Sequence, residues 1–174
     1  MRNTAGILYG IYLAMSVMLL ILLLAGGMSL FDSLINVFGT AGTGGFTVLN
    51  TGMGTYTPLQ HWIIAVFMVL FGMNFSFYYL IISRKGREAL RMEEIRVYLL
   101  IIAVVTLIVA FNIRNYYGTG EEVLRHSFFQ VSSIITTTGF ATADFNLWPV
   151  LSKVFILLIM FIGACAGSTG GGLK

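Results

Sequence analysis

The sequence is poor in charge. Only 10% of its 174 residues are Asp, Glu, Lys or Arg, where soluble domains carry about 25%. With 57% hydrophobic residues and a mean hydropathy of +0.90, a chain this short cannot hide its apolar surface in a core of its own. That excludes a water-soluble domain and leaves an integral membrane protein. A lone cysteine, Cys165, excludes an internal disulfide and a multi-cysteine metal site. The formal net charge of +3 is no sign of a nucleic-acid partner, because the basic residues crowd into one short loop. The apolar cores of the long hydrophobic runs contain no carboxylate, although an ion held in the membrane by side-chain charge would call for one. Enzyme chemistry lacks a base. Ser168 and Cys165 lie near the inner side on the topology below, and His61 and His126 near the outer.

Four long apolar runs are present: about 6–25, 58–83, 97–113 and 147–166. Each approaches the roughly 20 residues of a membrane span, and the second is long enough to cross with tilt. Arg2 followed by an apolar run to Ala25 could mimic a secretory signal, but the run nears full-span length without an A-x-A cleavage site, so it reads as a retained helix. The segment 83–96 holds Arg84, Lys85, Arg87, Arg91 and Arg96, and the positive-inside rule places it in the cytoplasm. Arg2 and Lys174 fit the same orientation. His61 with Trp62, and Trp148, read as anchors at the outer interface. His126 reads as a packing or hydrogen-bonding residue. Asn74 and Ser76, within a span, read as interhelical hydrogen-bonding groups rather than ion ligands.

Between the runs lie two shorter segments, 29–40 and 121–136. Both read as helices of about three turns, with Asp32 in one first turn and Glu121 and Glu122 in the other. Each leads into a polar stretch, "TAGTGGFT" (40–47) and "TTTGFAT" (136–142). A shift of 94 residues lays Ser33 on Ser127, Val37 on Val131, Thr43 on Thr137, Gly45 on Gly139 and Phe46 on Phe140. The chain is therefore an internal repeat. It is all-α, two tandem span–pore helix–filter loop–span units, with about four transmembrane helices and two re-entrant pore helices. The first unit is 1–95, including a cytoplasmic linker at 84–95, and the second is 96–174.

Irregular backbone at membrane depth is tolerated only where it is buried in protein or lines a watery path. A short helix followed by a glycine-containing stretch fits a pore loop, whose backbone carbonyls replace the water shell of a cation. Ordinary turns rich in Gly and Thr are the alternative. Asp32, Glu121, Glu122 and Asp144 fall on the outer side, as helix starts and rim charges or as a source of local cation attraction. The closing segment "GACAGSTGGGLK" (163–174) cannot sustain a helix cheaply. It reads as a plug or gate below the pore, or as a terminal tail, and it lacks P-loop spacing.

Together "TAGTGGFT", "TTTGFAT", "GMNFSFYY" (72–79) and "GACAGSTGGGLK" resemble the Trk/Ktr/HKT superfamily of potassium transporters, nearest to the bacterial Trk-type membrane subunit. The resemblance implies four pore-loop units around one pore, of which this chain looks like the second and third. It implies filter glycines at Gly45 and Gly139, with Thr43, Gly44, Thr137 and Thr138 beside them, and K+ as the transported ligand with no covalent cofactor. It implies a gating loop at Gly167, Ser168, Thr169, Gly170, Gly171 and Gly172, obstructing the pore until regulation moves it. It further implies a multi-pass protein of the bacterial inner membrane, a homodimer, and a cytoplasmic nucleotide-binding regulatory ring as partner. Two units supply two walls of a pore. The expectation is a segment of a longer transporter, the alternatives being two chains that pair to complete the walls and a non-conducting membrane fragment that binds a partner.

Overall fold

The structure, a computed structural model, describes residues 2–49 and 52–172. Lys174 and Leu173 lie outside the described residues, as does the side chain of Arg2. All regular structure among the described residues is helical: α1 (Arg2–Ala25), α2 (Leu30–Ala41), α3 (Pro58–Phe71), α4 (Phe75–Ile82), α5 (Gly86–Ala89), α6 (Glu93–Ile113), α7 (Gly120–Ile135) and α8 (Val150–Ile162), with a 3-10 turn at Phe145–Leu147.

The long helices α1 and α6, of 24 and 21 residues, reach about 30 Å or more at 1.5 Å per residue, enough to cross a bilayer. Their outward faces are apolar: Leu13, Val17 and Ile21 on α1, and Leu100, Val104, Leu107 and Phe111 on α6 are all exposed. Lipid is as apolar as these side chains, so they need no protein cover. The inward faces form two cores. One gathers Leu19, Leu23, Ile64, Met68 and Phe71 from α1 and α3. The other gathers Ile102, Val109, Val131, Ile135 and Ile159 from α6, α7 and α8.

The short helices begin where their caps demand. Ser29 accepts the amide of Asp32 at 3.1 Å and opens α2. Thr119 and Glu122 form a reciprocal capping box that opens α7, with bonds of 3.2 and 3.4 Å. The second helix is longer than the expected three turns, at 16 residues.

Two expected spans need correction. The run 58–83 is not one tilted helix: α3 and α4 meet at 87°. Gly72 ends α3, and Asn74 starts α4 by accepting the amide of Ser76 at 2.9 Å. The break frees backbone groups that must be satisfied inside the protein. The Gly-rich segment does this: Cys165 N–H donates to Gly72 O at 3.1 Å, Thr169 Oγ1 to Phe71 O at 3.1 Å, and Phe75 N–H to Gly167 O at 3.1 Å. A side chain at Gly72 would strike Tyr98 Oη and approach Thr136 Cγ2 at 2.7 Å. The fourth run is also shorter than expected. Pro149 precedes α8, and Gly163 ends it at φ +73, leaving 13 helical residues.

Candidate functional site

The two Thr-Gly-Phe stretches have matching backbones. Gly42 caps the end of α2 and Thr136 that of α7. Thr43 follows at φ +50 and Gly45 at φ +67, while Thr137 stands at φ +59 and Gly139 at φ +89. Glycine accepts such angles freely. A β-branched threonine does not, and each such residue stores about 1–3 kcal/mol of strain.

The amides of these stretches turn back onto the ends of their own helices. Gly44 N–H donates to Gly39 O at 2.8 Å, Thr138 N–H to Ser133 O at 2.9 Å, and Gly139 N–H to Ser133 O at 3.3 Å. In a trans peptide the carbonyl points opposite to the N–H. The carbonyls of Thr43, Thr137 and Thr138 therefore point away from α2 and α7.

The two stretches also touch, in one direction. A Cβ at Gly45 would strike Thr138 O and lie 3.2 Å from the carbonyl carbon of Gly139. Phe140 is 1% exposed and lies against α2, where a Cβ on Gly39 would come within 2.8 Å of its ring. Beyond them, Met53 N–H donates to Ala141 O at 3.0 Å. The repeat mates of these residues lack the contacts: Phe46 is 79% exposed, and a Cβ at Gly139 would meet no described atom within 4 Å.

Below both stretches lies the Gly-rich segment. Thr43 Oγ1 donates to Thr169 O at 3.2 Å. Gly171 N–H donates to Thr137 Oγ1 at 2.8 Å. Gly170 has no room for a side chain, since a Cβ would lie 2.9 Å from Thr136 O and 2.5 Å from Ala164 Cβ. Ser168 folds inward, its hydroxyl donating to Cys165 O at 2.6 Å and accepting Gly170 N–H at 3.3 Å. Gly172 packs at the neck of the segment beside Gly163. An open groove of about 290 Å³ borders Gly167, Ser168 and Thr169 on one side and Tyr12 and Phe75 on the other. The stretches 43–45 and 137–139 thus meet each other at Gly45 and Thr138, and meet the Gly-rich loop through Thr43 and Thr137, forming a single cluster, termed the column.

At the outer side, sequence reasoning missed a buried arginine. Arg125, 6% exposed, donates from Nε to Glu121 Oε1 at 2.9 Å and from Nη1 to His61 Nδ1 at 2.9 Å. Because Nδ1 accepts, Nε2 of His61 carries the proton and donates to Met53 O at 2.7 Å. Trp62 Nε1–H also donates to Glu121 at 3.0 Å. His61 is therefore not an interfacial anchor; it is 2% exposed, inside a clamp that joins α3 to α7. Trp148 is likewise buried at 4% and donates to Tyr117 Oη at 3.1 Å. His126 does bond and pack, through Nδ1 to Thr142 Oγ1 at 2.8 Å and against the Tyr117 ring.

Three outer acids have side-chain partners: Glu121 in the clamp, Glu122 in the capping box and Asp144 on Asn146. At Asp32 it is the backbone N–H that bonds Ser29. The Trp62 N–H first, and Arg125 second, hold the Glu121 carboxyl below its usual range. A depressed carboxylate supports the fold above its unfolded pKa and loses that support as pH falls through the lowered folded value. Arg125→Met should lower stability by about 2 kcal/mol, the scale of a lost bond to a charged group, read as an earlier thermal transition in detergent. An unchanged transition would mean that the clamp is slack.

Among the described residues, no three His, Cys, Asp or Glu side chains converge to hold a metal. The polar groups of the two stretches are backbone carbonyls and threonine hydroxyls, and the hydroxyls of Thr43 and Thr137 are engaged with the loop.

The chain is similar to known proteins in sequence and in fold. A family model described as TrkH, cation transport protein, matches residues 4–174. The chain is 35% identical to the Trk system potassium uptake protein TrkH of Salmonella typhimurium, across 99% of the chain and 36% of that relative. It is 34% identical to the Trk system potassium uptake protein TrkG of Escherichia coli, across 100% of the chain and 36% of that relative. The crystal structure of the potassium transporter TrkH from Vibrio parahaemolyticus superposes with a TM-score of 0.92 at 29% identity, over 98% of the chain and 38% of that structure. The chain thus spans just over a third of the length of these relatives.

Proposed function

The chain belongs to the TrkH family of cation transport proteins, and from that membership we propose that it forms part of the wall of a potassium-uptake pore in the bacterial inner membrane. Residues 1–95 and 96–174 act as two successive pore-loop units. K+ is held by backbone carbonyls of Thr43–Gly45 and Thr137–Gly139. The observation that carries this reading is the matched left-handed backbone at both stretches, with the carbonyls of Thr43, Thr137 and Thr138 turned away from their helices. Alternating left-handed residues let successive carbonyls face one side, as a cation's coordination shell requires. The carboxyl ends of α2 and α7 add partial negative charge at the same place.

Gly167–Gly172 is the gate. What supports this is that one hydrogen bond ties the loop to each stretch, Thr43 to Thr169 O and Gly171 N–H to Thr137. The bordering groove gives it somewhere to go. Closing the pore takes further units of the same architecture, supplied by a longer transporter. That protein acts as a homodimer on a cytoplasmic nucleotide-binding ring, and the basic charge of segment 84–96 is what would meet it.

The test is growth of a potassium-uptake-deficient bacterium at low K+, with the chain expressed alone and joined to the units of a Trk relative that it lacks. Rescue by the joined form alone, lost with Gly139→Ala, is the expected result. Rescue by the chain alone would mean that two copies complete the pore. A joined form that is well expressed yet fails to rescue would overturn the transport reading.

A further inference from the structure

Glu94 has no part in the column or the outer clamp, and sequence reasoning left it in the cytoplasmic linker. In the structure it stands in the first turn of α6, half-buried, beside the exposed Glu93. Its two carboxylate oxygens reach two different elements. Oε1 accepts the backbone N–H of Ala166, and Oε2 accepts Asn74 Nδ2–H at 3.1 Å. Ala166 directly precedes the Gly-rich loop. Asn74 is the residue that restarts the broken span, through the 2.9 Å bond from Ser76 N–H to its Oδ1. The same two elements are joined again by Phe75 N–H to Gly167 O at 3.1 Å. An acid in a first helical turn is ordinary. That role alone explains Glu93 and asks nothing of Ala166 or Asn74.

We propose that Glu94 is a positioning residue for the gate, whose carboxylate latches the entrance of the Gly-rich loop to the break in the second span and so keeps the loop seated under the column. An ionised carboxylate accepts only, so one group can serve two donors on separate segments. Glutamine keeps one oxygen for Ala166 but sets an amide N–H₂ against that of Asn74. Alanine offers neither oxygen. The latch predicts a graded series, while a simple charge at the helix start predicts that Gln and Ala behave alike.

The effect on flux rests on the gating role proposed above; the latch itself does not, and the experiment reads the two separately. In the intact protein, reconstituted in liposomes, Ser168→Cys reports loop exposure to a small water-soluble methanethiosulfonate. The protein with Cys165 alone, which is buried, serves as the blank. Relative to Glu94, labelling of Cys at 168 should rise about tenfold in Glu94→Ala, the scale of losing a charge-assisted bond, and by less in Glu94→Gln. K+ leak should rise in the same order. Labelling that is equal in all three, or raised equally in Gln and Ala, would overturn the latch. Graded labelling with unchanged leak would keep the latch and overturn the loop as the barrier. If Glu94→Ala does not accumulate, a Glu94→Cys/Ala166→Cys pair tests the same contact. Its disulfide should suppress labelling at 168 until reduced, and a pair that leaves labelling unchanged in both states would overturn the latch.

Discussion

Gly45→Ala should cut K+ uptake by the intact protein about tenfold or more, with Asp144→Asn close to the unsubstituted protein. Position 45 combines two demands. Its backbone is left-handed at φ +67, which costs a residue with a Cβ about 1–2 kcal/mol. Its Cβ would also strike Thr138 O on the facing stretch. That atom is backbone, so no rotamer change relieves the clash, and separating the stretches moves the carbonyls proposed above to hold the ion. A displacement worth only about 1.4 kcal/mol in the rate-limiting step is already tenfold.

Gly139→Ala separates the two demands. It carries the left-handed backbone at φ +89 but meets no described atom within 4 Å. If a further stretch abuts it in the intact protein, as Thr138 abuts Gly45, the two alanines will be equally damaging. If not, Gly139→Ala will be the milder. Asp144 Oδ1 accepts the amide of Asn146 at 2.9 Å, and an asparagine oxygen at that position can do the same. Uptake measured with a potassium tracer or a thallium-sensitive dye decides. Equal loss from all three substitutions would count against a backbone-carbonyl site.

Gly163→Ala should release the Gly-rich loop and raise resting K+ leak several-fold from reconstituted liposomes. Gly163 ends α8 at φ +73, and its Cβ would strike Gly172 Cα and come within 2.5 Å of Gly171 O. These atoms form the neck of the loop, closed by Ala164 N–H to Gly171 O at 3.0 Å. Left-handed strain and overpacking together are worth roughly 2–4 kcal/mol. That exceeds what one or two hydrogen bonds return, about 1 kcal/mol each. The loop should open rather than absorb the methyl group. A tight, non-leaking Gly163→Ala protein with a normal thermal transition would show that the neck is not what seats the loop.

Much of this was legible in the sequence because the membrane imposes few choices. Long apolar runs gave α1 and α6, and the 94-residue repeat paired the two Thr-Gly-Phe stretches. The break in the second run was not legible. "GMN" sits inside a strongly apolar stretch, and the groups that satisfy the broken backbone come from Cys165, Gly167 and Thr169, about 90 residues on. Nor do propensities foretell that Thr43 and Thr137 are left-handed, since β-branching argues against it; their hydroxyl bonds to the loop oppose that preference. His61 and Trp148 misled for a related reason. Beside an apolar run each looks like an anchor, but a buried Arg125 and a nearby Tyr117 supply polar partners deeper in the fold. Glu94 resembled Glu93 until Ala166 was brought beside it.

The two left-handed threonines hold the loop with opposite polarity, Thr43 giving a proton to Thr169 O and Thr137 taking one from Gly171. The loop therefore has a separate attachment to each of the two stretches proposed to face the ion. Coupling free energies are reciprocal. Whatever shift in those threonines accompanies the loss of the loop must, run backwards, be a shift by which their occupancy alters the hold on the loop. On the proposed pore reading, the permeant ion is then an effector of its own gate, and the opening equilibrium should depend on potassium concentration even with every regulator removed.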